Sequence, residues 1–521
     1  MKELIQNNKK FLLLSSLVVL LTALTAISAP LIVQFAVGSQ RLLLYIFGAM
    51  SLSFVIQLFA IHYRENYAAT FNVTYLFQLI HKMTRLTYDA YVHLEPTYLI
   101  NRIFTAVDAL YLFLINSCSA VINAVFMLLC SLLLAGSVSL KIFWLLLVLI
   151  PINYFGFRWI NRTLSHKMAQ MQTASAIANK DLVVTLTNAD AVKAGMNDEL
   201  LDHVLKANIQ TMYQTLANTN KFAQSTSGLL QLINQLTQNL LYIWTSVLIT
   251  EGELPLTSLI ILSIVLPLFF SALSGLTQAN IDWRTLRTAN DFIKNDLDAN
   301  QEKISGKKIA AIQSVRLTKP AFTFQAQAFA FNFDEQLLPG DVVYLKGASG
   351  SGKSTFLKLL LKFRTAAGIW INELPSTEID AQALRQRIAY LSQDPTLLSA
   401  TIEENVTFGR QLSSAQKEFL QQTKILAPIF QTKSWDTVLV ENGSNLSGGE
   451  KQRLAAARLL LTDADLYLLD ESTSNIDQAS AKAIFETLLT CKKDKIILFT
   501  SHDTRNQKYA NKILTIGGTD E

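Results

Sequence analysis

Apolar and polar positions are spread very unevenly along these 521 residues. No charged residue occurs from Phe11 to Ala36, Leu42 to Ile61, Leu110 to Leu140, Ile142 to Phe157, Phe222 to Thr250 or Leu254 to Ile281. A helix needs about 20 apolar residues to cross the hydrocarbon of a bilayer; five of the runs reach that length, and Ile142 to Phe157 does so with its flanks. The pattern predicts six membrane-spanning helices. A cleaved leader does not account for the first run, which is too long and is followed by five more. Long polar stretches after the second and fourth runs keep helical periodicity and contain few Gly or Pro. The flanking spans are expected to continue through them as helical stalks, at about 1.5 Å per residue. Short turns over Tyr88–Tyr98 and Thr187–Glu199 would then be carried out to meet the rest of the chain.

The period changes after Ile281. Thr285 to Lys308 is polar and charged and reads as a connector. From about Ala311 short apolar runs alternate with helical stretches: FAFNF at Phe329–Phe333, VVYLKG at Val342–Gly347, then RIAYLSQ, LYLLDE and IILFTSH, which end in polar residues. Strands separated by helices predict a mainly parallel sheet, whose ligands gather at the carboxyl ends of the strands. The expected organisation is a transmembrane domain over 1–284 (six helices with long extensions), a linker over 285–310 and an α/β domain over 311–521.

Composition agrees. Half the residues are hydrophobic, 16% are charged and mean hydropathy is +0.28, which argues against an ordinary soluble enzyme. Cations mark one side of the membrane. Lys2, Lys9 and Lys10 precede the first run; Arg64, Lys82, Arg85 and Arg102, then Arg158, Arg162, Lys167, Lys180, Lys193, Lys206 and Lys221, fill the long stretches. The other connections are short, with Arg41, Lys141 and the acidic Glu251–Leu254. Lys/Arg-rich segments stay in the cytoplasm, so both termini, the stalks and the α/β domain are expected there. This asymmetry accounts for the net charge of +5 without a nucleic-acid partner. Cys118, Cys130 and Cys491 have no metal or disulfide spacing and read as packing residues, and the six histidines form no cluster.

Two segments carry phosphate chemistry. GASGSGKST, Gly347 to Thr355, fits the phosphate-loop pattern between a predicted strand and the helix FLKLLLKF. Backbone N–H groups of Gly347, Ala348, Ser349, Gly350, Ser351 and Gly352 would close around phosphates at the helix N-terminus. Lys353 supplies a point charge, Ser354 a hydroxyl for Mg²⁺, and Thr355 completes the loop. LYLLDE ends a buried strand in two carboxylates. Asp470 is placed to hold Mg²⁺, leaving Glu471 to orient or deprotonate a water.

With these segments in order, the chain resembles the ATP-binding cassette exporters over nearly its whole length. LSGGE, Leu446 to Glu450, followed by KQR, is similar to the family signature. Glu441–Gly443 resembles the glutamate-containing loop ahead of it, YLSQD carries Gln393 in the place of the loop glutamine, and Ser399–Gly409 resembles the segment that follows. Ser474–Asp477 stands where the dimer-spanning loop does, with Asn475 and Ile476 in place of the usual residues, and TSHD carries His502 at the switch histidine.

The resemblance implies a P-loop NTPase domain with an α-helical signature subdomain behind a six-span membrane domain. It implies ATP and Mg²⁺, with Ser354, Gln393 and Asp470 on the metal and Glu471, His502 and Gln393 as the hydrolytic set. It also answers why a second glycine-rich turn is present. In this family two nucleotide domains face each other, and Ser447, Gly448, Gly449 and Glu450, with Asp477, close on the nucleotide held by the other subunit. The chain is then a half-transporter whose partner is an identical or homologous second half, embedded in lipid. Two departures stand out: Val440 replaces a usual glycine and Glu450 a frequent glutamine. The adenine-stacking aromatic has no clean equivalent, leaving Phe322 or Phe324.

The uncharged spans offer no ion or proton relay. In the fifth run Gln231, Asn234, Gln235 and Gln238 share one helical face, bordered by Asn239. That stripe lines a pathway or hydrogen-bonds neighbouring helices. Pro30, Pro151 and Pro267 are placed to kink spans. No peptidase-like stretch precedes the first run, so cargo processing is not expected. The expected function is ATP-driven export of a hydrophobic or amphipathic drug, lipid or peptide across the cytoplasmic membrane. The alternatives are an uptake transporter and an ATP-gated channel or regulator of the same family.

Overall fold

The computed structural model describes residues 9–36, 42–187, 189–194, 198–324, 327–409, 411–423, 425–440, 443–471, 476 and 478–517. The chain divides into two compact units, Met1–Gln301 and Glu302–Glu521.

Each uncharged run falls on a helix of the first unit. In chain order these are α1 (Lys9–Ala36), α2 (Leu42–Thr84), the short α3 (Tyr88–Leu94), α4 (Pro96–Leu112), α5 (Cys118–Val138), α6 (Leu140–Thr187), the short α7 (Ala189–Ala194), α8 (Asp198–Thr250) and α9 (Thr257–Phe292). A π-helical turn, Phe113–Ser117, joins α4 to α5 without a break. Among the described residues three continuous helices, Pro96–Val138, Leu140–Thr187 and Thr257–Asp298, are long and apolar enough by length and composition to cross a membrane. The other runs lie on α1, α2 and α8, and α8 differs in carrying the amide cluster between Gln231 and Asn239. Helices α2, α6 and α8 have 43, 48 and 53 residues. At 1.5 Å per residue they run about 65–80 Å, over twice the hydrocarbon thickness. Pro151 and Pro267 lie inside α6 and α9, and Pro30 falls in α1. Of the second expected turn, 188 and 195–197 lie outside the described residues, as do Lys2 and Arg41.

Helix α9 forms the spine of this unit. Its Leu262, Val265, Leu266 and Phe269 are buried with Leu128, Ala135, Ile142 and Leu146. Lower down, Phe292 and Leu297 bury with Leu79, Leu99, Ile103 and Leu110. The first part of the expected connector is helical: helix continues to Phe292 and then as a π-helical turn, Ile293–Asp298. Leu286, Ala289, Phe292, Ile293 and Leu297 recur at three- and four-residue spacing and are buried, a seam that the polar residues between them disguise. Lys82 to Asp298 (2.7 Å), the Thr87 N–H to the Asn300 carbonyl (3.0 Å) and Gln301 to the Lys82 carbonyl (2.8 Å) fasten that end to α2.

The second unit contains strands β1 (Val315–Phe324), β2 (Gln327–Ala330), β3 (Asp334–Leu337), β4 (Val342–Lys346), β5 (Ala367–Ile371), β6 (Leu374–Pro375), β7 (Ile388–Leu391), β8 (Leu466–Leu469), β9 (Ile496–Phe499) and β10 (Lys512–Thr515). Its α-helices are α10 (Lys353–Leu360), α11 (Ala381–Arg385), α12 (Ile402–Thr407), α13 (Ser414–Gln422), α14 (Gly448–Leu461) and α15 (Gln478–Cys491). One sheet is antiparallel, ordered β2-β1-β5-β6 with β3 also paired to β1. The other is wholly parallel, ordered β10-β4-β9-β8-β7. Strands β8 and β9 are buried at every position because both faces of that sheet are covered. One face packs Leu345, Leu468 and Leu498 with Phe356 of α10 and with the antiparallel sheet. The opposite face packs Tyr344, Tyr467 and Phe499 against α14 and α15.

Candidate active site

The parallel order sets the carboxyl ends of β4, β9 and β8 side by side, and each strand runs directly into one of the chemical segments. After β4 comes the loop Gly347–Thr355. Gly350 (φ +80°) and Gly352 (φ +100°) adopt left-handed backbone that glycine takes without strain. A Cβ on Gly347 would fall 2.5 Å from Ser351 Oγ and 2.9 Å from the Ile516 carbonyl, so only hydrogen fits. The Lys353 ammonium is buried inside the loop, donating to the Gly347 and Ala348 carbonyls at 2.9 Å each. Ser351 Oγ is buried without a partner. A buried cation and an orphaned hydroxyl at a helix N-terminus fit the oxygens of a polyphosphate.

After β8, Asp470 is 3% exposed. Its Oδ1 accepts from Ser354 Oγ (3.0 Å) and Thr500 Oγ1 (3.1 Å), and its Oδ2 from the Tyr390 hydroxyl (3.3 Å). A hydroxyl paired with a carboxylate is the hard-oxygen donor set that Mg²⁺ takes. Glu471 has φ +47°, unusual for a residue with a Cβ, and its N–H donates to Thr500 Oγ1 at 2.8 Å. Its carboxylate lies 2.9 Å from His502 Nε2; the Glu471 side chain is nearly buried and that of His502 is mostly exposed. Glu471, Ile476, Ser501, His502 and Asn506 border a pocket of about 310 Å³. Gln393 is exposed, two residues beyond β7, the strand beside β8.

The signature turn is a helix start. Ser447 caps α14: its Oγ accepts the Glu450 N–H (3.2 Å) while Glu450 accepts the Ser447 N–H (2.7 Å). The second Glu450 oxygen accepts from Lys433 Nζ at 2.7 Å. Burial works to raise the Glu450 carboxyl, but the bonds from Lys433 and Ser447 outweigh it and hold its pKa below the ordinary value. Gly448 and Gly449 form the first turn. Among the described residues no hydrogen bond or ion pair joins this turn to the phosphate loop. Glu441, Asn442, Ser474, Asn475 and Asp477 lie outside the described residues.

Of the two aromatics considered for adenine, Phe322 is buried, stacked on Phe329 (5.2 Å) and Phe331 (6.4 Å). Phe324 carries the Arg364 guanidinium 3.9 Å over its ring. The ring of Phe331 lies against Gly352. Sequence reasoning missed Thr500, Tyr390 and Lys433. Thr500 had one signal: a hydroxyl residue at the carboxyl end of a strand, two places before His502.

The ABC transporter family model matches residues 331–474. Similar proteins include the lactococcin-A transport/processing ATP-binding protein LcnC of Lactococcus lactis subsp. lactis, 25% identical over 395 residues that cover 74% of this chain and 55% of LcnC. The transport/processing ATP-binding protein ComA of Streptococcus pneumoniae serotype 4 is 29% identical over 310 residues, 56% of this chain and 42% of ComA. The ATP-dependent lipid A-core flippase 2 of Colwellia psychrerythraea is 28% identical over 382 residues, 69% of this chain and 62% of the flippase. The chain thus spans about half the length of the curated relatives it matches. Among solved structures, a bacterial Atm1-family ABC exporter with ATP bound superposes with a TM-score of 0.81 at 19% identity, covering 99% of this chain and 94% of that one. Residues 331–474 of the second unit therefore carry an ABC transporter domain, and the chain over its whole length shares the fold of that exporter.

Proposed function

We propose that this chain hydrolyses ATP to drive export of a hydrophobic or amphipathic cargo across the cytoplasmic membrane, as one half of a dimeric transporter working by alternating access. One observation carries the reading: a single sheet edge gathers the buried Lys353, the Ser354–Asp470 pair and the Glu471–His502 pair. Lys353 and the N–H groups of 347–355 bind the phosphates. Ser354 and Asp470, with Gln393, would hold Mg²⁺, which would supply neutralising charge to the phosphate oxygens. Glu471 accepts the proton of the attacking water, and His502 fixes its carboxylate beside the γ-phosphate. Ser447, Gly448, Gly449, Glu450 and Asp477 of a second half close the site over the nucleotide, so that ATP joins the two halves and hydrolysis releases them. The distribution of Lys and Arg supports a cytoplasmic position for both termini, the stalks and the second unit. Cargoes named for relatives, a bacteriocin peptide and a lipid A core, favour a peptide or lipid among the candidates.

The test is ATP hydrolysis by the purified chain in lipid nanodiscs, beside Glu471→Gln. Removing the base should lower turnover ~100-fold or more while ATP binding persists. Undiminished hydrolysis in the variant would remove Glu471 from its role. Hydrolysis in neither, with ATP bound by both, would mean that the partner half is a different protein.

A further inference from the structure

The first unit holds a cavity of about 1130 Å³ between α6, α8 and α9. Helix α8 lines it with Gln224, Gln231, Asn234, Gln235 and Gln238, all on one face and spread over about 21 Å of helix. Across from them α9 contributes Ser271, Ser274, Gly275 and Gln278 at the same spacing, and α6 contributes Asn161. Among the described residues the lining has no charged side chain.

Three hydroxyls in the wall satisfy themselves: Thr226, Ser274 and Thr277 donate to carbonyls of their own helices at 2.7–3.1 Å. Many of the amides do not. Gln238 meets the Tyr242 hydroxyl (2.9 Å) and Gln278 meets Asp282 (3.1 Å). Gln224, Gln231, Asn234 and Gln235 make no side-chain hydrogen bond among the described residues. Asn161 is 2% exposed and its Nδ2 is buried with no partner. Each carboxamide offers two donors and an acceptor, and none can be left facing hydrocarbon without loss.

The occupant must therefore supply donors and acceptors in a row. It must be uncharged there, because no counter-charge lines the wall. It must also carry apolar groups to meet Leu164, Leu230, Phe270 and Ile281. An acyl chain has no hydrogen-bonding groups. A polypeptide backbone has one N–H and one C=O per residue, and about 21 Å of extended chain is about six residues. We propose that this cavity binds an extended, uncharged peptide segment with apolar side chains, its backbone held by the carboxamides of α8. The inference rests on the export reading and chooses peptide among its cargoes.

The experiment measures binding to the full chain in nanodiscs without nucleotide, so it reports on the cavity whatever the hydrolysis measurement returns. The probes are a dansylated, C-amidated hexapeptide of alternating leucine and alanine, the same peptide with a free carboxylate, and a dansylated alkyl chain of equal length. The amidated peptide should bind at least ~10-fold tighter than either other probe, as sites built to hydrogen-bond a ligand reject analogues lacking the groups. Gln231→Leu with Gln235→Leu should weaken it ~10-fold or more. Gly228→Phe provides a second variant, since a Cβ at Gly228 meets nothing within 4 Å; it should block the peptide with every amide intact. Light scattering tracks the oligomeric state of each variant. Equal binding of peptide and alkyl chain, or unchanged affinity in both variants, would overturn the proposal. So would a glutamine variant that loses its dimer while the remaining dimer binds peptide normally, for the amides would then pair with a second copy.

Discussion

Glu450 illustrates how much one side chain settles. It stands near where the exporter reading places a partner's nucleotide, yet its charge is taken up locally by Lys433 at 2.7 Å and by the Ser447 N–H. Lys433→Met should free a carboxylate that repels phosphate and lower ATP turnover ~10-fold, the scale of one charge-assisted bond. Glu450→Gln in the same chain should restore most of it, which steady-state kinetics on the four combinations would show. The pH sense follows from the depressed Glu450 pKa: the clasp is intact at neutral pH and is lost as pH falls through that value, below the ordinary carboxylate range. Thr500 holds Asp470 and the Glu471 backbone together. Thr500→Val should lower kcat about 10-fold, through misplaced groups, with little change in ATP affinity. Residues such as Lys353, Asp470 and Glu471 were legible from sequence because phosphate chemistry demands fixed types at fixed spacing. Thr500 and Tyr390 were not, because their part depends on β9 and β7 flanking β8, and strand order is not written locally.

At the scale of elements the uncharged runs led directly to helices, since bilayer-crossing backbone must satisfy its own hydrogen bonds. The packing of the end of α9 is hard to see in sequence because its buried seam is thin and its polar residues are many. The irregular strand β1 was equally hidden. Its pairing with β5 shifts register between Leu317 and Ala321, where Lys319 takes φ +43°. Gly368 (φ +76°) sits opposite, and a Cβ there would run into the Thr318 carbonyl oxygen. Gly368→Ala should cost about 1–3 kcal/mol by forcing strained backbone, seen as a lowered melting temperature of the full chain in detergent. A Gly409→Ala control, at positive φ but with open space around it, separates steric clash from backbone preference.

For the whole molecule, Leu44, Phe47, Leu133 and Leu140 are each at least 70% exposed on the first unit, far more apolar surface than a water-facing chain displays. The protein should therefore stay with membranes through an alkaline carbonate wash and leave them only with detergent; release by carbonate alone would contradict membrane insertion. The chain's division after Gln301 has a thermal meaning as well. Each unit buries apolar clusters of its own, so unfolding has no reason to be all-or-none. A calorimetric scan in nanodiscs should resolve two heat-absorption peaks. Mg-ATP added to Glu471→Gln at 100 times its Kd should stabilise the unit that binds it by about 2.7 kcal/mol, and with the site in the second unit should carry that unit's peak upward while leaving the other where it was.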